Sequence, residues 1–158
     1  MTRLRIKAGP HEFSARMEEE KAPRTCAAFR KLLPYENKVI HVRWSGEGCW
    51  IPMGDFDAGL EFENHTSHPW PGQILWYPGG FSETEILMPY GGCRFASVVG
   101  GLAANHFLTI RVSGKAVTDS NMTISDDKTS AEIKIPFTDL FNGTAKLPAE
   151  LYAVVSTN

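Results

Sequence analysis

The sequence predicts a mainly β protein, a closed β-barrel with one helix near residues 23–33. Short stretches in which apolar and polar residues alternate recur along the chain, and this period of two is typical of strands with one buried face. Turn signals such as Gly9-Pro10 and Ser45-Gly46 separate the stretches. Many short strands at regular spacing, with a single helical segment among them, favour a barrel.

The first two strands are predicted as a hairpin. Residues 4–8 and residues 13–17 both alternate, and Gly9-Pro10 lies between them. Two alternating runs joined by a short turn are typical of antiparallel neighbours. We therefore expect the fold to begin with an antiparallel pair of strands.

A helix follows this hairpin. Pro23 suits the first position of a helix, and the three glutamates just before it complement the positive end of the helix dipole. Cys26, Phe29 and Leu33 lie three or four residues apart, which predicts one buried helix face. Pro34 ends the helix, because proline cannot continue one.

The chain then returns to strands. Residues 39–44 predict a strand, and residues 49–51 predict its partner across the Ser45-Gly46 turn. The segment from residue 52 to residue 72 is rich in glycine, proline and acidic residues, so we expect it to be irregular. A connection of this length in a compact domain is usually functional or covers a barrel end.

The central stretch, residues 73–89, reads as a strand, a loop and a strand. Residues 73–77 are apolar and aromatic, and Pro78-Gly79-Gly80 cannot continue a strand. Residues 84–88 resume a β pattern. The loop between the two strands carries one large aromatic residue among polar ones, and its glycines permit the close approach of a backbone or a ligand.

The last third of the chain is less regular. Residues 93–98 and 105–112 predict strands, and so do residues 131–135 and 151–155. Beyond residue 112 the composition shifts towards serine and threonine. No linker divides the chain, and residues 1–158 are predicted to be one domain.

Composition excludes several classes of function. The chain has 158 residues, 42% of them apolar and 22% charged, as in an ordinary soluble globular protein. The net charge is -2 without any basic run, which argues against nucleic acid or an anionic membrane as a partner. No stretch is long enough for a transmembrane helix, and the N-terminus lacks the apolar run of a signal peptide. We therefore expect a cytoplasmic protein, with Cys26, Cys49 and Cys93 as free thiols.

Several segments resemble the cyclophilins. The opening hairpin and the helix beginning Pro-Arg-Thr, the IHVR at residues 40–43, and residues 74–88 are similar to cyclophilin segments. A closer resemblance is to an uncharacterised bacterial family of cyclophilin-like barrels, a domain of unknown function. Its pattern is echoed by HVRWSGE at 41–47, WIP at 50–52, EN at 63–64, YPGG at 77–80, and Gly101 with NHF at 105–107. The resemblance covers residues 2–111 and does not extend to residues 113–158.

The resemblance implies a cyclophilin-like barrel and raises the question of prolyl isomerisation. In cyclophilins an arginine, matched here by Arg43, stabilises the twisted imide above an apolar shelf. The alignment puts Glu85 where a shelf phenylalanine belongs. An unpaired carboxylate is unfavourable beside apolar surface, so we expect no peptidyl-prolyl isomerase activity, although that activity stays an alternative.

The preferred interpretation is a small-molecule site in the barrel mouth for a polar or carboxylate-bearing ligand. Ligand pockets need aromatic or apolar walls with a few polar groups. The candidate wall residues are Trp50, Tyr77, Pro78 and Phe81. The candidate polar contacts are Arg43, Glu83, Glu85 and His106. An acidic ligand would favour Arg43 as its anchor, because arginine offers a planar fork of donors, and a basic ligand would favour the two glutamates.

Each of these residues also has a purely structural interpretation. Arg43 could be an outward-facing, solvated cation, and Glu83 with Glu85 could be a solvated strand face rather than an acid–base pair or a cation site. His106 could be a hydrogen-bonded core histidine. The aromatic residues could belong to a core or to a homo-oligomer interface, which would make the chain a structural or partner-binding barrel.

No cofactor or metal is predicted. His65 and His68 follow several acidic residues, but a His-x-x-His in a loop lacks the firmer spacing of zinc sites. Cys49 has no activating neighbour in the sequence, so a nucleophilic role is not expected.

Overall fold

The computed structural model describes residues 2–8, 11–111, 122–124, 131–133 and 151–157. These residues form one helix, α1 (Pro23–Leu32), and thirteen strands. The strands are β1 (Arg3–Ala8), β2 (His11–Met17), β3 (Tyr35–His41), β4 (Gly46–Gly54), β5 (His65–Thr66), β6 (Gln73–Tyr77), β7 (Thr84–Cys93), β8 (Ala96–Ser97), β9 (Gly100–Gly101), β10 (Ala104–Arg111), β11 (Met122–Ile124), β12 (Ala131–Ile133) and β13 (Leu151–Thr157). The predicted mainly β fold with one helix is confirmed.

All the strand pairs within the described residues are antiparallel. Nine strands form one sheet in the order β2-β1-β13-β3-β4-β7-β6-β10-β5. The predicted hairpin is confirmed, with Ile6 of β1 opposite Phe13 of β2. Since β13 pairs with both β1 and β3, the end of the described chain joins the first hairpin to the rest of the sheet.

The prediction of a closed barrel needs correction, because the sheet is curled and open. β2 also pairs with β10, but only over four positions, and β3 pairs with β4 at only two, Ile40 with Trp50 and His41 with Cys49. β3 ends at His41, and the bend at residues 43–45 leads directly into β4, where the Gly48 carbonyl accepts a hydrogen bond from the Val42 N–H at 3.0 Å. The predicted strand at residues 39–44 therefore begins earlier and ends earlier than expected.

The helix lies against one side of the sheet as its sequence pattern predicts. Pro23 is at its first turn, and Cys26 and Phe29 are buried. The ring of Phe29 meets the rings of Trp76 and Phe107 edge-on, at centroid distances of 6.0 and 4.9 Å. Burying a phenylalanine side chain of this kind contributes roughly 1.5–3 kcal/mol to stability. The helix ends at Leu32, and Leu33 is already extended.

The sheet has a hydrophobic core on each face. The inner core, on the face that α1 covers, includes Ile51, Trp76, Ile86 and Phe107 with residues of α1, β1 and β2. The outer core, on the opposite face, consists of Val42, Leu75, Tyr77, Leu87, Phe95, Leu102 and Ala104, with Trp50 and Cys93 beside it. Neighbours along a strand alternate between the two cores, as side chains of a strand must.

The other strand predictions are confirmed with shifted ends. β6 has its predicted bounds, whereas β7 continues to Cys93 because it pairs with β4 as far as Gly46. Of the predicted strand at residues 93–98, only Ala96–Ser97 is a separate strand. β10, β12 and β13 match the later predictions, while Val112 and residues 134–135 lie outside the described residues.

The buried side chain of Asn105 connects the long segment before β6 to the helix. Its amide donates hydrogen bonds to the Thr25 hydroxyl at 3.1 Å and to the Glu61 carbonyl at 2.9 Å. Its oxygen accepts a hydrogen bond from the Glu63 backbone N–H at 3.0 Å. The Glu63 carboxylate in turn accepts hydrogen bonds from the hydroxyl and backbone N–H of Thr25 in the first turn of α1.

This network also sets the ionisation of Glu63. Burial acts to raise the pKa of Glu63, but hydrogen bonds from Thr25 and the nearby Arg24 guanidinium outweigh it and hold that pKa below its ordinary value. The carboxylate form is therefore favoured at the start of the helix, where a negative charge complements the helix dipole.

The substitution Asn105→Leu is expected to lower the free energy of unfolding by about 3 kcal/mol. Leucine is of similar size but leaves the Glu61 carbonyl and the Glu63 N–H without their partner, and an unsatisfied buried group costs about 1–3 kcal/mol. Urea denaturation measures the change. The control is Asn37→Leu, since the half-buried Asn37 side chain bonds Tyr35 and Lys38 of its own strand. Equal losses in the two variants would contradict a special role for Asn105.

Candidate functional site

A small cavity of about 180 Å³ brings four of the predicted site residues together. Arg43, Trp50, Glu83 and Glu85 all line it. The other lining residues are Val42, Trp44, Ser45, Ser82, Ala96, Ser97 and Val98. Positive, negative and aromatic side chains therefore line the same cavity.

The floor of the cavity is the outer face of the sheet. Glu85 of β7 lies between Pro52 of β4 and Tyr77 of β6 in register, and Trp50 lies opposite Leu87. Tyr77 and Leu87 belong to the outer core, so Glu85 is on the same face. The cavity thus lies on the side of the sheet away from α1, and the sequence-based placement in the barrel mouth needs correction.

The walls of the cavity are tied together by Ser45. Its hydroxyl donates a hydrogen bond to the Ala96 carbonyl at 2.9 Å and accepts one from the Ala96 N–H at 3.0 Å. The Ser45 carbonyl accepts a further hydrogen bond from the Arg94 N–H at 2.9 Å. These contacts fix the bend that carries Arg43 against the segment that carries Ser97 and Val98.

Glu85 is the most unusual charged group in the cavity. Its side chain is only 7% exposed. Burial first, and the neighbouring Glu83 second, raise the pKa of Glu85 to about 7. No described residue donates a hydrogen bond to the carboxyl or forms an ion pair with it. Near neutral pH both the protonated and the charged form of the carboxyl are therefore accessible, which suits it both to accept and to donate a proton.

Arg43 and Glu83 are the exposed charges at the cavity. Glu83 accepts a hydrogen bond from the Gly54 N–H at 3.2 Å, which holds the loop before β7 against the end of β4. Arg43 lies in the bend after β3, and no ion pair between described residues includes it. Arg43 and Glu85 therefore form no ion pair with each other in the described part of the chain.

Four predicted residues do not line this cavity. Tyr77 is buried beneath it in the outer core, where its hydroxyl accepts a hydrogen bond from the Phe81 N–H at 3.1 Å. The Phe81 ring is 85% exposed on the loop, and Pro78 lines a neighbouring cleft. His106 lies on β10, separated from β7 by β6.

His106 instead belongs to a hydrogen-bonded network near the start of α1. Its Nε2 lies 2.9 Å from the Thr109 hydroxyl, which donates a hydrogen bond to the Glu18 carboxylate at 2.6 Å. Burial lowers the pKa of His106, although the Glu18 carboxylate opposes that shift. The side chain is thus the hydrogen-bonded core histidine that was its structural alternative.

Sequence reasoning missed the other half of the cavity. Ser45 and Ala96 are 51 residues apart, and no sequence pattern joins them. Trp44 was assigned to a strand, yet it lies in the bend and is 60% exposed beside the cavity. The only signal for it was the clustering of the four tryptophans between residues 44 and 76.

Two more open clefts adjoin the cavity. One, of about 630 Å³, is lined on one side by residues 54–62 and shares Ser82 and Glu83 with the cavity. The other, of about 590 Å³, shares Trp44, Ser45 and Ala96. The cavity therefore lies between two larger clefts and shares lining residues with each of them.

Other chemistry has little support in the described residues. Among them, no group of three or more His, Cys, Asp or Glu side chains is arranged to hold a metal ion. The three cysteines are free thiols, and burial raises the pKa values of Cys26 and Cys49 to about 12, so neither favours the thiolate of a nucleophile.

No helix in the described chain has the length and apolar character that crossing a membrane requires.

Residues 4–132 match the model of a family described as "Protein of unknown function (DUF3830)". The resemblance to a family of unknown function is thereby confirmed. No curated protein matches the chain.

Several solved structures are similar to the chain. McbB in complex with tryptophan has a TM-score of 0.61 at 13% identity, over 98% of this chain and 44% of that chain. The hypothetical protein AF2241 from Archaeoglobus fulgidus has a TM-score of 0.53 at 17% identity, over 99% and 95%. A cyclophilin-type peptidyl-prolyl cis-trans isomerase from Cryptosporidium parvum, in the presence of the dipeptide Ala-Pro, has a TM-score of 0.47 at 11% identity, over 99% of both chains. The first two likenesses show the fold, and this chain spans less than half the length of the McbB chain.

The substitution Glu85→Gln is expected to stabilise the protein at pH 8 by about 1–3 kcal/mol. Because the pKa is about 7 in the folded protein and 4.5 in the reference state, the folded state binds more protons between those values. The free energy of unfolding of the wild type should therefore fall as pH rises from about 4.5 to about 7, and then level off. Glutamine removes the charge and with it this part of the pH dependence.

Chemical denaturation at pH 5, 6, 7 and 8 measures the effect. The control is Glu12→Gln, because Glu12 is an exposed glutamate of β2. A loss of stability in Glu85→Gln at pH 8, with a flat profile in the wild type, would show that the carboxylate has a structural partner.

Proposed function

The chain belongs to the DUF3830 family, and we propose that it binds a small polar ligand carrying a carboxylate in the cavity formed by β4, β7 and the bend at residues 43–45. The observation that carries the proposal is Glu85, a buried carboxyl that faces this cavity without a partner among the described residues. We further propose that the protein does not isomerise prolyl bonds.

Glu85 occupies a position that is unfavourable for a carboxylate. Burial disfavours its charged form and raises its pKa to about 7. A core position would be more stable with an apolar side chain of the same size. A ligand that donates a hydrogen bond to the carboxyl would offset this cost, which supports a role for Glu85 in binding rather than in folding.

Arg43 gives the same cavity a positive charge, which suits a ligand that carries a carboxylate. Its exposed guanidinium lines the same cavity and forms no ion pair with the described residues. Arginine binds carboxylates through two parallel hydrogen bonds, which gives both affinity and orientation. Trp50, Val42 and Val98 add apolar walls. A ligand with a carboxylate at Arg43 and a hydrogen-bond donor at Glu85 would pair with both of these charged residues.

The size of the cavity limits the ligand. At about 180 Å³ it is smaller than the roughly 300–1,000 Å³ of pockets that hold drug-sized molecules. A small metabolite fits this volume better than a peptide, although the adjoining clefts leave room for a substituent. McbB was solved with tryptophan, which carries both a carboxylate and a donor, and tryptophan is therefore one useful probe.

The geometry supports isomerase activity less well. A prolyl ring needs an apolar shelf beside the arginine, and here the floor below Arg43 includes the Glu85 carboxyl. Desolvating a half-charged group against an apolar ring is unfavourable. A purely structural role for the four residues is also less well supported, because Arg43 and Glu83 are exposed.

We expect small carboxylic acids to raise the melting temperature of the wild type in a thermal-shift screen, and Arg43→Gln to weaken their binding by about 10- to 100-fold. The reason is the loss of a charge-assisted hydrogen bond, worth about 1.5–3 kcal/mol. Suitable probes are acetate, propionate, glycolate and L-tryptophan. Arg5→Gln on the exposed side of β1 is the matched control, since it removes the same charge far from the cavity. If no acid binds the wild type, or if both variants lose binding equally, the proposal is wrong.

We expect no acceleration of prolyl isomerisation in a protease-coupled assay with proline-containing peptides at micromolar protein. The Glu85 carboxyl removes the apolar shelf that the reaction needs. A cyclophilin run in parallel shows that the assay responds. A rate above buffer in the wild type that disappears in Arg43→Gln would overturn this part of the proposal.

A further inference from the structure

Charges of both signs line the cavity. Glu83 and Glu85 supply the negative groups, and the repulsion between their carboxylates contributes to the raised pKa of Glu85. Arg43 lines the same space from the bend after β3. Trp44 and Trp50 are aromatic residues of the same lining.

A ligand with a carboxylate alone pairs only with Arg43, the positive group of the cavity. It can bind Arg43, but it leaves two carboxyl groups close together without a cation, and its own charge adds to their repulsion. A ligand with an ammonium group alone satisfies Glu83 and Glu85 but is repelled by Arg43. Only a ligand with both charges complements the whole cavity.

We propose that the ligand of this cavity is a zwitterion with an ammonium and a carboxylate group, of the class to which free amino acids and betaines belong. This inference rests on the proposed function and names the ligand class of the same site. The ammonium lies between Glu83 and Glu85, and the carboxylate binds Arg43. The faces of Trp44 and Trp50 favour the ammonium further, because aromatic rings attract cations.

Binding of a zwitterion displaces the proton of Glu85. In the empty cavity a proton neutralises part of the charge on Glu85, and an ammonium group at the same place does so instead. Binding at pH 7 therefore releases a proton from the fraction of Glu85 that holds one, up to about 0.5 proton per ligand when the pKa is about 7. Affinity rises with pH up to the region of that pKa and levels off above it.

Several elements supply the groups around Glu85. Glu83 precedes it on the chain, Arg43 lines the same cavity from the bend, and Tyr77 lies beside it on β6. From β4 the neighbours are Trp50 and Pro52, and the segment from Ala96 to Val98 carries no charge. Glu85 is the lining residue whose pKa is raised to about 7, and its proton is the one that the ligand displaces.

The experiment compares zwitterions with their two halves. Glycine betaine and glycine are the zwitterionic probes, acetate carries the carboxylate alone, and choline carries the cation alone. Calorimetry measures each affinity, and a pH-stat in sodium chloride at pH 7 measures released protons without a competing buffer ion. We expect at least one zwitterion to bind at least about tenfold more tightly than either half, with proton release.

Two variants test whether Glu85 causes the proton release and the preference for a zwitterion. Glu85→Gln should abolish proton release and reduce the preference for a zwitterion over acetate, while acetate still binds through Arg43. Glu12→Gln, which removes an exposed carboxylate of β2, should change neither. Denaturation of each variant checks that it is folded.

The outcomes separate this inference from the proposed function. If acetate binds as tightly as both zwitterions and no proton is released, the ligand class is wrong and carboxylate binding stands. If choline binds as tightly as glycine betaine, Arg43 takes no part and the inference is overturned. If none of the carboxylate probes binds, the proposed function fails, and this inference fails with it.

Discussion

The structure depends on the burial of both faces of strands β4, β7 and β6. Their side chains alternate between an inner core against α1 and an outer core under Phe95 and Leu102. The outer core is smaller, and the buried Glu85 lies on the same face beside Tyr77. The polar cavity lies on this face, on a sheet whose position is held from the other side by the larger core.

The network of Asn105 has a second effect on this site. It holds Glu61 and Glu63 against the helix, and so fixes the far end of the segment that starts after β4. The near end is held by the Gly54–Glu83 hydrogen bond and by a hydrogen bond from the Thr84 hydroxyl to the Phe56 carbonyl at 2.7 Å. Because both ends of this segment are anchored, Gly54 and Phe56 are held in place. Their hydrogen bonds to Glu83 and Thr84 give the loop that carries Glu83 a defined position beside Glu85.

The burial of Glu85 has opposite effects on the stability of the protein and on the proposed binding of a ligand. Its burial raises its pKa and lowers the stability of the folded state at neutral and higher pH, so it contributes nothing to folding that an apolar residue would not contribute better. The same burial strengthens its interaction with any group that enters the cavity, since charges interact more strongly away from water. This cost to stability is the reason for the proposal that Glu85 serves ligand binding.

Local patterns in the sequence determined the helix, the first hairpin and β6, because the spacing of Cys26 and Phe29 and the alternation along short strands depend only on neighbouring residues. The sequence also pointed to Arg43, Trp50, Glu83 and Glu85 through their residue types. Only the tertiary structure decided that the sheet stays open, that His106 lies elsewhere, and that Ser45 meets Ala96 to complete the cavity. Burial, and with it the pKa of Glu85, depends on which distant segments cover a residue, and no local pattern carries that information.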